Sequence, residues 1–133
     1  SDLSRASDTA KTIAEAIGLE QVQCRADLRE RKLGCLEGHT CPEAAQKFPA
    51  AYETLRGTSM TETIQGGGES VMDIVIRISN AVEEIAAAHP GGRVLVVTHG
   101  GVINNVHYRA RGFDAPGKIV NCGLYRMRIT PAE

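Results

Sequence analysis

His99 stands where an apolar run hands over to a helical pattern, within Arg93–Asn104, RVLVVTHGGVIN. Val94, Leu95, Val96 and Val97 form a continuous β-branched and aliphatic stretch. Such a run predicts a strand buried on both faces, the kind found in parallel sheets. After Thr98-His99-Gly100-Gly101, the apolar residues Val102, Ile103 and Val106 recur at helical spacing. A histidine at this handover lies at the carboxyl end of a strand, where open α/β sheets bind ligands. The N-terminus of the following helix offers free backbone N–H groups and the positive end of the dipole, a setting for phosphate and other anions. Gly100 and Gly101 let backbone approach a ligand closely. The same residues also fit a plainer role, in which His99 caps a turn that the glycines make tight.

Two further charged residues are weighed on their own, each with a plain alternative. Arg5 lies among small residues at the opening of a helix-prone segment, where it also reads as a solvated charge. Glu30 lies between Arg29 and Arg31-Lys32, cations that favour its ionised form. A carboxyl acting as a general acid near neutral pH needs enough burial to offset them. The alternative is a surface ion cluster of little energetic weight.

The elements that must position these groups follow from pattern and punctuation. Ser1–Gly18 predicts a helix capped by Ser4 or Ser7, with Thr12, Ile13, Ala16 and Ile17 as its stripe and Gly18 ending it. Gln21–Cys24 predicts a short strand, and Arg25–Thr40 a charged, glycine-punctuated loop. Pro42–Leu55 predicts a helix that Pro49 splits or kinks. Arg56–Gly68 predicts a loop long enough to be functional. The clearest helix begins at Ser70, a good N-cap, and carries the stripe Val71, Ile74, Val75, Ile78, Val82, Ile85 until His89-Pro90-Gly91-Gly92 stops it. His89 itself reads as a surface residue or dipole partner. Arg111–Gly117 predicts a loop, and the alternation in Lys118–Ile129 an edge strand.

At 133 residues the chain is long enough for one domain with a real core, so a single domain over 1–133 is expected. A net charge of −1 implies no general attraction to nucleic acid or anionic membrane. The absence of Trp argues against a stacking surface for single strands. No apolar run reaches the ~20 residues of a membrane span, and no stretch reads as a signal peptide. Cys35-x3-His39-x-Cys41 fits no common zinc spacing, and none of the four cysteines forms a CxxC pair. The expectation is a cytoplasmic protein with free thiols, no metal and no cofactor. The chain has no initiator Met, so it is expected to be processed, cut or incomplete at its start.

Taken together, four segments resemble the histidine phosphatase (phosphoglycerate mutase-like) superfamily. They are Ser1-Asp2-Leu3-Ser4-Arg5-Ala6 with Thr9-Ala10; Leu28-Arg29-Glu30 with Gly34 and Glu37-Gly38; Gly67-Gly68-Glu69-Ser70; and Val97-Thr98-His99-Gly100-Gly101. Each is weak alone, and their joint order is specific. The stretch HGGVINNVHYRARGFDAPGKIVN looks more like the small-molecule phosphatases than the mutases. The resemblance implies an α/β fold, a three-layer sandwich in which helices flank a mostly parallel sheet. It implies that Arg5 binds phosphate, that His99 is the second pocket histidine and that Glu30 is the general acid. It further implies that Gly100 offers a backbone N–H and that Glu69 and Ser70 lie near the substrate mouth. The expected partner is a small phosphorylated metabolite or a phosphate ion.

The family's signature Arg-His-Gly motif, at the end of its first strand, does not occur in this sequence. The expected form therefore lacks that strand and the nucleophilic histidine, and is inactive by itself. A central edge left unpaired would favour a homodimer. Three readings stand: a metal-independent phosphomonoesterase acting through a phosphohistidine, a non-catalytic phosphate-binding or interaction domain, and a phosphoglycerate mutase.

Overall fold

The computed structural model describes residues 1–111 and 119–129. Five α-helices occur among them: α1 (Ser4–Ala16), α2 (Cys41–Lys47), α3 (Pro49–Arg56), α4 (Val71–Ala88) and α5 (Gly100–Arg111). Single 3₁₀ turns lie at Ala26–Leu28 and Gly34–Leu36. The chain divides into two compact units, one formed by Ser1–Glu30 with the residues from Arg77 onward, the other by Arg31–Ile76.

In the first unit, α1 starts after Leu3, and neither Ser4 nor Ser7 caps it. Ser7 is buried inside the helix, and its hydroxyl bonds the Ser4 carbonyl. The end of α1 follows the expected glycine logic. Gly18 takes φ 74°, its N–H reaches the Glu15 carbonyl at 3.2 Å, and the Leu19 N–H reaches Ala14 at 2.8 Å. This paired closure satisfies carbonyls that the helix leaves open. In α4, Ile78 of the expected stripe is buried here, as are Ala81, which the stripe did not include, and Val102 of α5.

The second unit has its own core of Leu36, Ala44, Ala51 and Ile64, against which Leu33, Phe48, Tyr52 and Leu55 pack. Pro49 does split the helical stretch. It occupies the first turn of α3, and Phe48 before it sits at φ −133°, ψ 60°, outside helical space. A proline disfavours the helical region for the residue it follows. Thr40 and Glu43 form a capping box at the start of α2.

The strands expected at Gln21–Cys24 and Val94–Val97 are corrected. Among the described residues no strand is present. Val94, Leu95 and Val96 are 48%, 50% and 38% exposed, which excludes burial on both faces. Aliphatic β-branched sequence favours extended backbone, but the bonds of a parallel strand must come from neighbouring strands. Ile119–Ile129 is likewise without ladder pairing. The loop expected at Arg111–Gly117 lies outside the described residues beyond Arg111, as does Lys118.

Candidate active site

The first unit gathers most of the residues singled out above. His99 immediately precedes α5, and its ring is buried, 7% exposed. Its Nε2 lies 2.9 Å from the Ser1 hydroxyl. That hydroxyl also accepts the Leu3 N–H at 3.3 Å, and the Ser1 nitrogen donates to the Val97 carbonyl at 2.9 Å. A hydroxyl can donate or accept, so Ser1 can serve either protonation state of the ring. Burial pushes the His99 imidazole below its ordinary range; the nearby Arg5 charge adds to this, and Glu30 opposes it. Arg5 projects from the first turn of α1, exposed and close enough to His99 for its charge to be felt.

Glu30 is half-buried, and its Oε2 accepts the Gly101 N–H at 3.0 Å. A carboxylate therefore already occupies the N-terminus of α5, the anion-favouring position. The N–H that meets it belongs to Gly101, one residue beyond Gly100. A side chain there would displace the carboxylate: a Cβ on Gly101 would fall 2.2 Å from Glu30 Oε1. The segments bearing Ser1 and Glu30 are clamped by a two-bond pair in which Arg29 Nε donates to Asp2 Oδ1 at 2.7 Å and Nη2 to Oδ2. The Arg29 hydrogen bond holds the Asp2 carboxyl below its ordinary range. Sequence reasoning missed Ser1 and Asp2 as site-building residues, and it read Gly101 only as allowing close backbone approach. The only signal for the first two was membership of the matching segments.

Glu69 and Ser70 belong to the second unit, where both have architectural engagements. Glu69 Oε2 accepts the Lys32 N–H at 2.9 Å, and its carbonyl accepts Arg31 Nε at 3.0 Å. Ser70, 2% exposed, caps α4: its hydroxyl accepts the Asp73 N–H at 3.1 Å and donates to Asp73 Oδ2 at 2.7 Å. Ser70→Ala is expected to cost about 0.5–2 kcal/mol in denaturant unfolding; an unchanged midpoint would show the cap to be dispensable.

Among the described residues, no group of three or more His, Cys, Asp or Glu is placed to hold a metal ion. None of their helices is long and apolar enough to cross a membrane.

The start of α5 thus gathers a buried histidine, a carboxylate on the helix N-terminus and a nearby arginine. The family model for the histidine phosphatase superfamily (branch 1) matches residues 1–133, and the chain belongs to that superfamily. The "Metal-independent phosphoserine phosphatase" of Arabidopsis thaliana is 40% identical over 124 residues, covering 93% of this chain and 52% of that protein. "Phosphoglycerate mutase-like protein 4", also from Arabidopsis thaliana, is 42% identical over 130 residues, covering 97% and 56%. The solved structure of Bacillus stearothermophilus YhfR superposes with a TM-score of 0.70 at 30% identity, over 87% of this chain and 55% of that one. The fold is thus that of the histidine phosphatases, and by family the protein is an enzyme. The chain spans about half the length of the relatives it matches.

Proposed function

We propose that residues 1–133 form the larger part of a metal-independent phosphomonoesterase pocket for small phosphorylated metabolites. The observation that carries this reading is the convergence of His99, Arg5 and Glu30 around the start of α5. Arg5 supplies paired N–H donors suited to phosphate oxygens, each charge-assisted bond worth about 1.5–3 kcal/mol. His99 takes up a proton when phosphate enters and faces the oxygens on which charge builds. Glu30, carrying a proton when the ester is bound, swings from the Gly101 N–H and gives that proton to the leaving alkoxide, then takes one back from the water that attacks the phosphohistidine. In this scheme the phosphoryl group passes from the ester oxygen to the nitrogen of a nucleophilic histidine and then to water. That histidine lies outside residues 1–133, since no Arg-His-Gly tripeptide occurs within them.

The same reading supplies a partner for Val94–Val97: a strand ending in Arg-His-Gly completes a mostly parallel sheet between helical layers. Glu69 and Ser70 are further candidates for substrate binding on the resemblance alone. The four unpaired cysteines favour a cytoplasmic setting, and no step of this scheme calls for a cofactor or metal. The partners are a small phosphorylated metabolite or phosphate, with no role for nucleic acid or membrane; a homodimer is an alternative way to cover the exposed apolar run.

The test is phosphate release from small phosphomonoesters with EDTA present, by residues 1–133 and by a longer protein carrying the motif. Turnover only by the longer protein is expected. Phosphate binding without turnover in both favours a non-catalytic phosphate-binding or interaction domain, the reading motivated by the missing motif. Transfer of phosphate within a phosphoglycerate instead of to water would identify a mutase.

A further inference from the structure

The residues leading to Glu30 have little regular structure, yet each backbone carbonyl in turn has a partner. Ala26 O accepts the Arg29 N–H at 3.1 Å within the 3₁₀ turn. Asp27 O accepts Arg77 Nη1 at 2.7 Å, Leu28 O accepts Thr98 Oγ1 at 2.8 Å, and Arg29 O accepts Arg77 Nη1 at 3.0 Å. The next acceptor along the chain is the Glu30 carboxylate itself, on the Gly101 N–H.

Arg77 thus bridges two carbonyls that flank Leu28, a side chain only 4% exposed. Seven residues further along α4, and so on the same face, Glu84 Oε2 accepts Arg25 Nη2. Arg25 in turn holds the Asp27 carboxylate through Nε at 3.0 Å. One helix face therefore grips residues 25–29 at both ends. Asp27 has Arg25 as its hydrogen-bonded counterion and also feels the Arg77 charge, while the Arg77 guanidinium, rigid and with several fixed donors, holds the loop through carbonyl oxygens.

We propose that Arg77 is a positioning residue for Glu30: it sets the register of residues 27–29 so that the carboxyl reaches the N-terminus of α5. Its catalytic consequence rests on the phosphatase reading; the positioning itself does not. In the sequence Arg77 is a charged residue outside the α4 stripe, and nothing in the local pattern singles it out.

The primary test uses the longer protein, ¹⁵N-labelled, and the Gly101 amide resonance. Glu30→Ala defines the resonance position when the carboxylate contact is gone. Arg77→Met is expected to move Gly101 more than halfway to that position, while amides late in α5 stay in place. A Gly101 resonance unmoved by Arg77→Met overturns the proposal. Should Arg77→Met fail to fold, Arg77→Gln, which keeps one neutral donor, is read in the same way: a partial shift supports and no shift overturns.

The second test uses the longer protein. Arg77→Met is expected to lower kcat for alkyl phosphates about 10- to 100-fold, as small misplacements of reacting groups do, with little change in KM. The loss should be smaller for p-nitrophenyl phosphate, whose leaving group depends less on an acid. Equal losses on both esters would argue against a role through Glu30. If the longer protein turns over no phosphomonoester, the phosphatase reading fails, and the Gly101 resonance still decides the role of Arg77.

Discussion

Gly101→Ala is expected to leave the protein folded and to remove most of the general-acid contribution, about 10²–10⁴-fold in kcat on alkyl phosphates. The added Cβ would meet Glu30 Oε1 at 2.2 Å and Cδ at 3.0 Å. Both atoms are the far end of a flexible side chain, so the carboxylate turns away and the backbone of α5 stays. Alanine also improves helix propensity over glycine by about 1 kcal/mol, which offsets the lost Glu30–Gly101 hydrogen bond of about the same size. Stability and activity should therefore separate. The measurement pairs thermal unfolding with initial rates on an alkyl and an aryl phosphate, using the longer protein. A variant with full alkyl-phosphate activity would show that Glu30 does not act from this position. A variant that unfolds would show that the contact is mainly structural.

His99→Gln is expected to cost about 10²–10³-fold in turnover, the scale of losing one preorganised group at developing phosphoryl charge. It should also change how stability depends on pH. Burial lowers the native pKa of His99 from its ordinary value of 6.5. As pH falls below that value, the unfolded chain takes up the proton while the native one resists. The unfolded state then binds more protons, so stability falls as pH drops through the window between the ordinary and the lowered value, and rises with pH across it. The slope contributed by one group is at most about 1.4 kcal/mol per pH unit. Chemical unfolding from pH 5 to 7.5 should show that slope in the native protein and a flatter profile in His99→Gln. Equal slopes would mean that His99 titrates normally in the native state.

The kinds of element legible in the sequence were those whose forces are local. The α4 stripe and its Ser70 cap, the break at Pro49 and the closure of α1 at Gly18 depend on residues within one or two turns. His99 at the head of α5 was visible for the same reason, as an apolar run and a helical period meeting at two glycines. Arg5, Glu30 and His99 were picked out as a set only by their resemblance to a family, because nothing local links positions so far apart in the chain.

The sequence by itself determined the helices, the turn before α5 and the residue types able to bind phosphate. Tertiary structure alone decided how they meet. It placed the Glu30 carboxylate on the Gly101 N–H, the Ser1 hydroxyl on His99, Arg29 on Asp2 and Arg77 on the carbonyls before Glu30. It also left Val94–Val96 exposed where the residue pattern predicted a buried strand. The physical reason is one of range. Helix bonds close within four residues and are written into local pattern. Strand pairing, ion pairs and carbonyl contacts join distant segments, and local pattern carries no record of the partner.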